Sequence, residues 1–181
     1  MRFTARASRN VAVGVCLAVA AVLLPTAAIA SSGSSSLPRA GACRGASTEA
    51  WLGLPGNGAA GTILYEIQIS NIGHSTCTLH GYPGVSELNI HGNQVGKPAS
   101  HSGAKPLVTV KPGGTAHFVL TYHEAGAICL HPVHGAVLRV FPPGQFHSQL
   151  VELALPQCPG KSIMSVDAVH PGTGIPFFSL H

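Results

Sequence analysis

The clearest periodic stretch of the chain is residues 62–70, TILYEIQIS. Ile63, Tyr65, Ile67 and Ile69 fall on one face, and Glu66, Gln68 and Ser70 on the other, with Leu64 as the one interruption. Alternation of β-branched and aromatic residues with polar ones is the pattern of a strand that buries one face and leaves the other in water. Shorter runs with strand character occupy residues 49–54, 77–80, 85–90, 107–110, 115–122, 136–141, 147–155 and 163–169, punctuated by Gly, Pro and Asn. Two connections, Lys111-Pro-Gly-Gly114 and His91-Gly-Asn-Gln94, carry turn chemistry that can join antiparallel strands. No dozen-residue stretch repeats its apolar positions at three and four, so no long amphipathic helix is expected. About eight or nine short strands at this spacing predict an all-β, two-sheet antiparallel β-sandwich in preference to a closed barrel. No internal repeat is visible, and one domain accounts for the chain.

The amino terminus departs from this pattern. Arg2, Arg6 and Arg9 precede an uncharged run over residues 11–24, then Pro25 and the triplet Ala28-Ile29-Ala30. A basic start, a short apolar core and small residues at the end form an export signal, with cleavage expected after Ala30. The apolar core is shorter than the about 20 residues of a membrane-spanning helix, so no stable membrane span is expected after cleavage. Cys16 follows Val15, where acylation of a lipoprotein would need a small residue, and is expected to leave with the signal. Residues 31–42, SSGSSSLPRAGA, read as a flexible serine-rich linker. The sandwich is expected over residues 43–170, followed by a tail, 171–181, that carries Phe177 and Phe178 either to close the sandwich edge or to dock a partner.

Removing the signal changes the charge. Ten basic and six acidic residues give the chain its formal +4, but three of the ten lie in the signal, which leaves seven against six. Those seven, Arg39, Arg44, Lys97, Lys105, Lys111, Arg139 and Lys161, are scattered singly, without the basic stripe that a nucleic-acid partner requires. Four cysteines also remain, Cys43, Cys77, Cys129 and Cys158, none in a Cys-x-x-Cys pair. An even set in an exported chain is a disulfide framework with three possible pairings. If residues 49–54 pair antiparallel with 62–70, Cys43 is brought towards Cys77. The same argument applied to 136–141 and 147–155 brings Cys129 towards Cys158. Each bridge would close a loop of about 30 to 35 residues and stabilise the fold by about 3 to 4 kcal/mol in the chain-entropy model.

Catalytic motifs are scarce. Gly-x-Ser-x-Gly does not occur, and the acids Glu49, Glu66, Glu87, Glu124, Glu152 and Asp167 lie on different predicted elements, which argues against paired-carboxylate chemistry. No catalytic residue and no cofactor is assigned. Histidine is the unusual residue, with 11 copies. The densest group is Cys129-Leu-His131-Pro-Val-His134, with His123 upstream, and these are the candidate metal ligands. The competing reading is that Cys129 is oxidised and the histidines are ordinary loop residues. Because imidazole titrates near pH 6.5, so many histidines also make an acid-responsive surface a second possibility. Trp51, the single tryptophan, is expected in the core.

Residues 71–84 read NIGHSTCTLHGYPG, with the Lys-Pro-Gly-Gly turn, Cys129 and Cys158 following. This combination resembles a family of secreted actinobacterial proteins known as a domain of unknown function, in which a Cys-Thr-Leu-x-Gly-Tyr-Pro-Gly motif follows a strand ending in Asn. The resemblance covers roughly residues 43–169. It implies an immunoglobulin-like sandwich, export, and attachment to or release from the cell envelope, and it brings no catalytic residues. Within the motif, Gly81, Tyr82, Pro83 and Gly84 are expected to form a tight turn. Pro83 fixes φ, Gly84 can accept a positive φ, and Tyr82 can cover the core edge with its hydroxyl in water. The sequence therefore predicts a non-catalytic secreted or envelope module that binds a protein or glycan. The alternative is a histidine-rich metal-binding or pH-responsive extracellular protein.

Overall fold

The computed structural model describes residues 40–174. The expected export signal, most of the expected serine-rich linker, and Phe177 and Phe178 lie outside the described residues. A 3-10 turn at Gly45–Ser47 leads into β1 (Thr48–Ala59), which pairs antiparallel with β2 (Thr62–Asn71). Their two-residue connection, Ala60-Gly61, has positive φ at both positions, 52° and 78°. That handedness matches the twist of a hairpin and favours glycine at the second position. β1 thus continues to residue 59, five residues beyond the expected end, with register shifts between Leu52 and Leu54 and between Leu54 and Asn57.

The remaining strands are β3 (Cys77–His80), β4 (Gly84–Leu88), β5 (Gln94–Val95), β6 (Ser100–His101), β7 (Leu107–Val110), β8 (Thr115–His123), β9 (Val137–Phe141), β10 (Gln149–Val151), β11 (Met164–Val166) and β12 (His170–Pro171). One sheet has the order β1-β2-β8-β11-β6, with β12 also on β8; a second has the order β10-β9-β4-β5; β3 and β7 form a separate pair. All these pairings are antiparallel except β11 with β6. The strands thus form an all-β, mostly antiparallel sandwich around a shared core. One core lies between the layers: Ile67, Ile69, Phe118 and Leu120 come from the first sheet, Val85, Leu138, Val140 and Val151 from the second, and Leu79, Val108 and Val110 from the β3–β7 pair. The disulfides are Cys43–Cys77 and Cys129–Cys158, the pairing expected from strand order.

Four local expectations are corrected. Trp51 is not a core residue: it is 41 % exposed, and its indole N–H donates to Ser70 Oγ at 2.9 Å. Glu66 and Gln68 are not at a wet face. Both are buried, because β2 is an interior strand whose outer face is covered as well. Lys111-Pro-Gly-Gly114 does not join paired strands: β7 pairs with β3, and β8 belongs to the first sheet, so this turn carries the chain between layers. In the 81–84 turn the positive φ, 108°, falls at Gly81, while Gly84 already starts β4. The Tyr82 hydroxyl donates to the carbonyl of Gly103 at an exposed position, and the ring stacks on His101 at 4.8 Å. The His91–Gln94 turn does join an antiparallel pair, β4 and β5.

The domain edges are tied in. Gly41, in the last part of the serine-rich stretch, accepts the Thr78 backbone N–H at 2.8 Å. Beyond residue 170, Gly172 and Gly174 bond to His117 and Glu66. Among the described residues no helix is long and apolar enough to cross a membrane.

Candidate functional site

Among the described residues a concavity of about 660 Å³ opens at one end of the sandwich. Its floor comes from the first sheet, where Ile63 and Tyr122 are register partners on β2 and β8 and Tyr65 follows Ile63 on the same face. One wall is the helical turn α1 (Ala125–Ile128) with Glu124 before it; the others are Pro132 and His134, and the segment Ala154-Leu155-Pro156. The Cys129–Cys158 bridge ties the loop after α1 to the chain just beyond Pro156. A short α-turn forms here because β8 ends at His123 and Ala125, which is buried, packs its first residue into the core.

Tyr122 fixes these walls together. Its hydroxyl donates to the Pro156 carbonyl at 2.9 Å and accepts the Ala125 N–H at 3.2 Å. Burial, with the negative charges of Glu124 and Glu87, raises the Tyr122 hydroxyl above the ordinary phenol range, against the Ala125 N–H, which lowers it. Burial also raises Tyr65, with further contributions from Tyr122 and Glu124. Both phenols therefore stay neutral at physiological pH.

Behind the Leu155 wall lies Glu87, on β4 and wholly buried. Its Oε1 accepts the Leu155 N–H at 3.2 Å, while Oε2 is buried without a partner among the described residues. Burial pushes this carboxyl up to about 7, against the backbone N–H groups of Leu155, Ala136 and Val137, which lower it. Gly135 permits the approach: a Cβ there would stand 2.1 Å from Glu87 Oε1 and 2.4 Å from the Leu155 carbonyl oxygen. Sequence reading did not single out Glu87, because its burial depends on facing the core from β4 beneath a distant loop.

A family model with the description "Domain of unknown function (DUF4232)" matches residues 43–170. The chain belongs to that family. No curated protein and no solved structure matches the chain.

The DUF4232 domain distributes its sequence-predicted residues as follows. Cys43, Cys77, Cys129 and Cys158 are all in disulfides, so Cys129 offers no thiolate to a metal. His134 lines the cleft, whereas His131 is exposed on the adjoining loop and His123 faces Thr62, with Nδ1 3.0 Å from Oγ1. Among the described residues no three His, Cys, Asp or Glu side chains are grouped to hold a metal ion. Gly81, Tyr82, Pro83 and Gly84 form the link from β3 to β4, and Lys105 Nζ sits 4.9 Å from the Tyr82 ring centre.

Proposed function

We propose that this DUF4232 domain is an exported, non-catalytic module of the cell envelope or extracellular space, and that it holds a protein ligand at the cleft end of the sandwich. The export signal pattern and the two disulfides support the location. The observation that carries the binding reading is Leu130, 93 % exposed, which with exposed Ile128 stands in the chain between the cleft-lining residues Ala127 and Pro132. An apolar side chain so exposed beside a concavity fits a protein partner. Of the two phenols that line the cleft, Tyr122 is buried and Tyr65 half-buried, so neither ring offers a fully free face to a sugar. The lining supplies two phenols, two prolines, one carboxylate and one imidazole, groups that position a ligand.

A photo-crosslinking residue at position 130, in the protein expressed by its native host, tests this. We expect a discrete protein adduct that is lost on Glu124→Lys and absent when the crosslinker stands at exposed Ile90 on the β4–β5 hairpin. Adducts of equal yield from both positions, or adducts indifferent to Glu124→Lys, would overturn the proposal.

A further inference from the structure

We propose that Glu66, Gln68 and His117 form a divalent-metal site on the outer face of the first sheet, closed by β12 and the residues just after it. The three side chains are 0 %, 5 % and 3 % exposed. Gln68 and His117 are register partners on β2 and β8, and Glu66 stands two residues before Gln68, on the same face. Gly53 on β1 makes room, since a Cβ there would stand 2.5 Å from Gln68 Nε2.

Each side chain is held by one polar atom. Glu66 Oε1 accepts from Gln68 Nε2 at 2.8 Å and from the Gly174 N–H at 2.9 Å, and His117 Nδ1 lies 2.8 Å from the Gly172 carbonyl oxygen. The remaining atoms, Glu66 Oε2, Gln68 Oε1 and His117 Nε2, are buried without partners among the described residues. A carbonyl only accepts, so His117 Nδ1 carries a proton, and in the tautomer protonated there alone Nε2 presents a bare lone pair. In that tautomer all three unpartnered atoms are acceptors.

Three buried acceptors on one face need donors or a cation, since each left unmet costs about 1–3 kcal/mol. His117 and Glu66 do not pair directly: the one histidine–carboxylate ion pair among the described residues is His170 with Asp167, at 3.1 Å. A divalent cation lying between them would engage all three. One imidazole and two oxygens suit zinc and its neighbours better than calcium, and a ring N–H held by a backbone carbonyl is the usual outer support of a metal-binding histidine. The third donor is an amide oxygen, so the group goes beyond His, Cys, Asp and Glu alone. The two backbone groups that hold the ligands, at Gly172 and Gly174, belong to the segment covering the site, so metal binding would fix that segment.

The test is titration of the chelator-treated, purified chain with Zn²⁺, and with Co²⁺ for its visible spectrum. We expect one equivalent bound, an affinity about tenfold or more lower in His117→Gln and in Glu66→Gln, and no change in a His131→Gln/His134→Gln double variant. Zn²⁺ should also shift the His117 Nε2 resonance of the unaltered protein and slow exchange of the Gly174 amide. This second readout stands even if a substitution prevents folding. Failure to bind one equivalent, an unmoved His117 resonance, or binding lost only in the His131/His134 variant would overturn the site. The cleft proposal is untouched by any of these results.

Discussion

Glu87 Oε1 accepts the backbone N–H of Leu155 at 3.2 Å, so a carboxyl on β4 holds a loop 68 residues further along the chain. Because burial raises this carboxyl to about 7, the folded state binds its proton more tightly than the unfolded chain does. The contribution of Glu87 is thus fully present below its ordinary value of 4.5 and is lost as pH rises through about 7. Thermal melts should show stability falling as pH rises from about 4.5 to about 7 and levelling above that, with the slope flattened in Glu87→Gln. A slope unchanged by that substitution would assign the pH dependence to groups other than Glu87.

Gln149 is the side chain that joins the sheet edges. From β10 its Oε1 accepts the Ala50 N–H of β1, and its Nε2 donates to the Thr48 carbonyl at 2.7 Å. These bonds give an edge strand of each sheet a partner in the other layer. Gln149→Ala should cost about 1–3 kcal/mol in urea unfolding, through the loss of both bonds and the stranding of their partners. A cost within about 0.5 kcal/mol would mean that water replaces the amide without loss.

The two disulfides should separate stability from binding. Each spans a similar length of chain, 34 residues for Cys43–Cys77 and 29 for Cys129–Cys158. The chain-entropy model then gives about 3 to 4 kcal/mol for either, so paired Cys→Ser variants should unfold at similarly lowered urea concentrations. Only the Cys129→Ser/Cys158→Ser variant should also lose the adduct formed from position 130, because that bridge anchors the wall of the cleft. Equal loss of the adduct in both variants would show that the cleft senses global stability alone.

Much of the fold is legible in the chain. Period-two alternation marks β2, and its apolar set, Ile67 and Ile69, does face the core. The limits of β3 and β7 fall where the apolar runs end, because Gly and Pro follow or precede them and turn propensity acts locally. The disulfide pairing followed from antiparallel neighbours, since two strands joined by a short connection bring their outer ends together.

What only the tertiary structure decided is the environment of polar residues. Glu66 and Gln68 have the spacing of a wet strand face, yet the chain returning at residues 170–174, more than 100 positions later, covers them. Trp51 has the composition of a core residue, yet sits on an edge strand where its ring is part-exposed. Alternation fixes which residues share a face, because the pleat is a local property of the backbone. Whether that face meets solvent or another segment depends on long-range packing, and with it go the burial of Glu87, the cleft and the acceptor cluster at His117. The paired strands, the turns and the pairing of the cysteines belong to the sequence itself; the chemistry of the buried polar groups belongs to the packing of distant segments against them.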